Sequence, residues 1–130
     1  MVADAQARNL ALEAALAADS VKGANIVALD VSGRLPLTDI FVLATGNSER
    51  QVDAIVDAVE ERLLGVGAKP TRREGRNGAR WVLLDYQDIV VHIQHAEDRE
   101  FYALDKLWKD CPLVELPGVG READAQAMAA

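Results

Sequence analysis

The sequence predicts an α/β or α+β domain: a mixed sheet of about five strands flanked by helices, in the order α-β-β-α-β-β-β-α. Three observations predict it. One stretch, Trp81-Val-Leu-Leu-Asp-Tyr-Gln-Asp-Ile-Val-Val-His92, reads as two strands joined by a tight polar turn. A second, beginning at Ser48, combines a capping signal with an apolar stripe of helical period. The third is length. The chain of 130 residues suits one domain, and strands separated by helices must share a sheet with helices on at least one face.

In chain order, Asp4 to about Asp19 is alanine-rich around Leu10, Leu12 and Leu16 and predicts a helix of weak amphipathicity. Its small side chains bury little area, so it is expected at the domain edge with a frayed start. Lys22-Gly23 ends it. Ile26 to Asp30 is a short strand, and Asp39-Ile-Phe-Val-Leu-Ala-Thr45 is a near-continuous apolar run of the kind found in a buried central strand. The two are close enough to pair as a hairpin. Ser48 and Gln51 then form a capping box, Glu49 complements the helix dipole, and Val52, Ile55, Val56, Val59 and Leu63 form the buried stripe. Gly65 and Gly67 end that helix.

Thr71 to Glu74 predicts a short edge strand, and Asn77-Gly78 a turn into the Trp81 strand. With Tyr86 and Gln87 as the two loop residues, Leu84 faces Ile89, Leu83 faces Val90, Val82 faces Val91 and Trp81 faces His92. Alternation then places Val82, Leu84, Ile89, Val91 and Ile93 on one face, and Trp81, Leu83, Asp85, Asp88, Val90 and His92 on the other. The aliphatic face is expected to be core. The mixed face has the chemistry of a recognition surface. A last helix runs from Glu97-Asp98 to Lys109 with an apolar stripe of Phe101, Leu104, Leu107 and Trp108, and Pro112 stops it. Residues 1–112 are expected to form one domain and 113–130 a loosely ordered tail.

Composition narrows the function classes. Fourteen basic against 21 acidic residues give a net charge of −7. Such a chain has no footprint for direct nucleic-acid binding and favours a basic partner. A single cysteine, Cys111, excludes an internal disulfide, and neither a membrane span nor a signal peptide is evident. The expected setting is the cytoplasm.

Each candidate for chemistry has a simpler role. Gly46-Asn47-Ser48, between a strand and a helix, could present amides to an anion, as the glycine-serine turn of nucleotidyltransferases does. The cap already accounts for Ser48, however, and no P-loop lysine or Asp-x-Asp follows. Asp85 and Asp88 could pair on a metal but flank a turn, where Asp caps its own loop. His92 and His95 fit no zinc spacing, and Cys111 before a proline reads as a small buried hydrophobe. No catalytic, cofactor or metal residue is assigned. The cluster of Trp81, Leu83, Val90 and His92 with an acidic rim remains, as an interface centre.

Four blocks then carry a resemblance: Thr38 to Val52, Glu74-Gly75, Trp81 to His92, and Arg99-Glu-Phe-Tyr-Ala-Leu-Asp-Lys-Leu-Trp108. In this order, over about Leu10 to Trp108, the chain resembles the ribosomal silencing factor family (RsfS, Iojap or YbeB). Gln87 departs from the glycine usual in that turn. The resemblance implies a nucleotidyltransferase-like fold without catalysis and binding to ribosomal protein fourteen of the large subunit. It also implies a block to joining of the subunits when nutrients are scarce, and self-association as a homodimer. Partner contacts carried over by position are Trp81, Leu83, Asp85, Tyr86, Val90 and His92, with Arg99, Tyr102, Lys106 and Trp108 in second rank. Leu104 and Trp108 are alternatively core or dimer contacts. The rival reading is a small nucleotidyltransferase or nucleotide-binding domain using Gly46, Ser48 and Asp85.

Overall fold

The structure is a computed structural model and describes residues 3–76 and 78–120. In chain order it contains α1 (Ala5–Ser20), β1 (Ala24–Asp30), β2 (Ile40–Gly46), α2 (Glu49–Gly65), β3 (Arg72–Glu74), β4 (Trp81–Asp85), β5 (Ile89–His95), α3 (Ala96–Tyr102) and α4 (Leu104–Leu107). The five strands form one mixed sheet in the order β1-β2-β5-β4-β3. β2 and β5 are parallel at its centre, and the outer pairs are antiparallel. The α+β class and the five strands are as the sequence predicts.

One face of the sheet is aliphatic. Val42, Ala44, Val82, Leu84, Ile89, Val91 and Ile93 pack there against Val52, Ile55, Val56, Val59 and Leu63 of α2. The α2 cap forms as expected: Ser48 accepts from the Gln51 amide at 3.1 Å. Gln51 answers one residue further out, its Oε1 accepting from Asn47 and its Nε2 donating to Lys22 at the end of α1. Gly46 is required because a Cβ there would lie 2.8 Å from the Val52 amide.

α1 differs from expectation. Far from sitting loosely at an edge, it buries Ala7, Ala11, Ala14, Ala15, Ala17 and Ala18. Small side chains let its backbone come close to α2 and the sheet, and close approach compensates for the modest area of each methyl group.

The central hairpin differs in register. Tyr86 donates its amide to the Ile89 carbonyl at 2.9 Å, so Gln87 and Asp88 are the loop residues. Leu84 therefore faces Val91, Leu83 faces His92, Val82 faces Ile93 and Trp81 faces Gln94. Every partner moves by two residues, which preserves the face of each side chain. Gln87 takes the left-handed backbone (φ 71°) that this turn demands, and the Asp85 carboxylate accepts from its amide at 2.8 Å.

The last helix is broken. Ala103 at φ 49°, ψ 51° separates α3 from α4. Beyond it the chain does not become loose at residue 113. Pro112 accepts from the Asp30 amide, Val114 donates to Ala28, and Leu113 bridges Leu29. The free edge of β1 captures this segment because its backbone groups need partners. Residues 121–130, the remainder of the tail expected over 113–130, lie outside the described residues.

On the opposite edge, β3 is tied to α2 by Arg73–Glu60, and the following Arg76 pairs with Asp57 at 2.7 Å. The arginine-rich stretch is thus largely neutralised by the acidic flank of α2. Among the described residues, no helix is long and apolar enough to cross a membrane.

Candidate binding face

The other face of the sheet is built from the alternate residues of the same strands. Leu29 and Val31 come from the β1 side, Phe41, Leu43 and Thr45 from β2, Val90, His92 and Gln94 from β5, and Trp81, Leu83 and Asp85 from β4. Leu104 of α4, Trp108 and Cys111 cover the β1–β2 side. Trp81, Leu83 and Asp85 remain half-buried.

A chain of rings crosses this face. Trp108 meets Phe41 edge-on at 5.1 Å, and Phe41 meets His92 edge-on at 4.9 Å. His92 lies 6.1 Å from the Trp81 ring, and Arg34 stacks over Trp108 at 4.9 Å. Trp81 Nε1 donates to His92 Nδ1 at 3.2 Å, which leaves the imidazole proton on Nε2. Nε2 is buried without a hydrogen-bond partner. Burial pushes the His92 pKa down to about 4, so the ring is neutral at physiological pH.

The carried-over contact residues therefore separate into groups. Trp81, Leu83 and Asp85 line the half-open part of the face. Val90 and His92 share that face but are buried beneath its surface, each 7% exposed. Tyr86 is a correction: it lies on the aliphatic side within the main core, where burial raises its phenol to a pKa of about 12. The register shift makes it a strand-closing residue rather than a loop tip. Arg99 is buried and donates to Thr45 Oγ1 at 2.8 Å. Lys106 is exposed on α4, and Trp108 is half-buried against Phe41. The side chain of Tyr102 lies outside what the structure describes.

Phe41 and Gln94 belong to the face and were not picked out from the sequence. Alternation alone cannot assign them until β2 is known to run parallel beside β5. The residues of the rival reading do not converge. Gly46 and Ser48 lie at the carboxyl end of β2 beside His95, whereas Asp85 pairs with Val90 at the other end of the sheet.

The family model described as "Ribosomal silencing factor during starvation" matches residues 4–130. The ribosomal silencing factor RsfS of Halalkalibacterium halodurans is 44% identical over 103 residues, covering 79% of this chain and 88% of that protein. That of Bacillus subtilis is 41% identical over 79% of this chain and 87% of its own length. Chloroplastic Iojap of Zea mays is 31% identical over 88% of this chain and 50% of that longer protein. A crystal structure of a Chromobacterium violaceum protein superposes with a TM-score of 0.75 at 34% identity, covering 78% of this chain and 84% of the other. One from Bacillus halodurans gives 0.72 at 39% identity, covering 87% and 100%. Fold and sequence together define one class, an α+β domain with an open mixed sheet. The chain belongs to the ribosomal silencing factor family.

Proposed function

We propose that this protein is a cytoplasmic repressor of translation, acting by steric occlusion and not by catalysis. It binds ribosomal protein fourteen of the large subunit and blocks joining of the small subunit under nutrient limitation. The relatives named ribosomal silencing factors support the ribosomal target. The observation that carries the binding face is Trp81, a half-buried indole held by a buried imidazole next to half-buried Leu83 and Asp85. A rigid aromatic anchor beside apolar surface and a carboxylate rim is how hot spots are built. The net charge of −7 favours encounter with a basic ribosomal surface.

Co-sedimentation with purified large subunits tests this reading. Trp81→Ala is expected to weaken binding by about 2 kcal/mol or more, roughly thirtyfold, while the far-ultraviolet circular dichroism spectrum stays native. Undiminished binding by a folded variant would reject the assigned face. The same open patch is where we place self-association. Sedimentation equilibrium of the wild type and Trp81→Ala proteins reads that directly: a dimer unaffected by the substitution would place its interface elsewhere.

A further inference from the structure

Buried polar atoms without a hydrogen-bond partner among the described residues gather at two neighbouring positions of β5. They are Nε2 of His92 and both amide atoms, Oε1 and Nε2, of Gln94. Residues two apart on a strand point the same way, so both side chains stand on the second face of the sheet. His92 is 7% exposed and Gln94 is fully buried. Their polar neighbours are engaged elsewhere. The Thr45 hydroxyl, beside Gln94 in the parallel pair, accepts from Arg99, and the Trp81 indole donates to the other nitrogen of His92. A buried amide in this state costs free energy that an apolar side chain of the same length would not. Sequences break this rule mainly at functional sites.

Trp81 spans both positions. It is paired with Gln94 across the β4–β5 ladder, and its ring reaches along β5 to bond His92. The indole is half-buried, so it lies between these polar groups and solvent. Rotation of its side chain toward a partner would uncover Gln94 and His92 while leaving every strand paired. The hot-spot anchor of the binding face is thus also the cover of a polar array.

The array has a definite pattern: a donor at His92 Nε2, an acceptor at Gln94 Oε1 and a donor at Gln94 Nε2. A carboxamide is complementary to a main-chain N–H and C=O side by side. In an extended chain both groups of every second residue point to one side, an interval of about 6.6 Å. Gln94 and His92, two residues apart on a strand, stand at that same interval. A nucleobase edge also matches a Gln amide. The half-buried Asp85 on this face and the net charge of −7 disfavour a phosphate backbone, however. We infer that Trp81 is a lid, and that on its opening Gln94 and His92 hydrogen-bond the main chain of an extended segment of the partner protein. This reading rests on the binding face proposed above and names the kind of segment that face takes.

Co-sedimentation with purified large subunits tests it, run as a double-mutant cycle on Trp81→Ala and Gln94→Met. The Gln94→Met protein is expected to keep a native circular dichroism spectrum and to bind at least about tenfold more weakly. The loss should persist in the Trp81→Ala background, because the amide meets the partner itself. A loss that vanishes once Trp81 is removed would show that Gln94 only positions the indole, and would overturn the inference. So would undiminished binding by Gln94→Met, or by Gln94→Leu should the methionine variant not fold. Protein-free ribosomal RNA that binds with the same dependence on Gln94 would give the amide a nucleobase partner and overturn the choice of a peptide. Trp81→Ala alone separates the two readings. If it binds as the wild type, the face and the lid both fall. If it binds weakly and Gln94→Met does not, only the lid and its amide array fall.

Discussion

The two faces of the sheet are built by opposite rules. Apart from Tyr86, the face under α1 and α2 is built from alanine and branched aliphatic residues, and Val42, Leu84, Ile89, Val91 and Ile93 there are fully buried. Its covering helices are 16 and 17 residues long. The other face buries Thr45, His92, Gln94 and Arg99 among its rings and is covered by helices of seven and four residues with a left-handed break between them. Burial of apolar area is the main favourable term in folding, whereas a buried polar group without a partner costs free energy. The first face therefore carries the stability. The second keeps groups that packing alone would replace, and it is the face on which we propose that recognition is built.

Adjacent residues of β4 offer the most direct way to break this comparison, since they point to opposite faces. Leu84 is fully buried under α2, and Leu84→Ala is expected to cost about 2–5 kcal/mol from lost transfer energy and the cavity left behind. Leu83, half-buried on the other face, should cost about 1 kcal/mol on the same truncation. Urea denaturation of both variants measures the difference. Equal losses would mean that the second face is as much a core as the first.

His92 sharpens the comparison through pH. Its folded pKa, about 4, lies below the ordinary imidazole value of 6.5 because burial disfavours the charged ring. The unfolded chain therefore takes up a proton first as pH falls. Stability from this group is fully present above pH 6.5 and is lost as pH drops toward about 4, by about 3 kcal/mol in total. His92→Phe removes the titration. At neutral pH it should cost about 1 kcal/mol or more for the acceptor lost by Trp81, yet its stability should fall less steeply with acid. Denaturation midpoints from pH 7 to pH 4 for the two proteins give the answer. Parallel profiles would show that the imidazole is not buried as described.

How far these faces could be read from the sequence depended on the range of the signal. Period-two alternation in Trp81–Asp85 and Ile89–His95 assigned side chains to faces correctly even with the register wrong, because the slip was even. The α2 stripe and the Ser48 cap are local and were legible, with Gln51 closing on Asn47 in place of the Ser48 amide. What was missed depends on contacts distant in sequence. The alanine face of α1 has little hydrophobic contrast until α2 is there to press on it. The capture of Leu113–Val114 needs the free edge of β1. Tyr86 was read as a loop residue and carried over as a partner contact from the resemblance, whereas a one-residue change in where the loop falls turns it into the core. The break at Ala103 has no glycine or proline to announce it.

Gln94 provides the smallest and most discriminating prediction. It is fully buried in the centre of the sheet, opposite Trp81 and beside Thr45, and both ends of its amide lack partners. Gln94→Met keeps the length of the side chain and deletes the polar atoms. On the aliphatic face, truncating any buried aliphatic side chain should destabilise. Here the removal of unsatisfied groups should be neutral or stabilise by up to about 1 kcal/mol, read as a rise in the urea midpoint. A loss of more than that would show the amide to be hydrogen-bonded in solution, and the second face would then be a satisfied polar core. A gain would show that the protein keeps a polar group there at the expense of its own stability. That would be hard to account for by folding alone, and it would place the selective reason for the second face in what it binds.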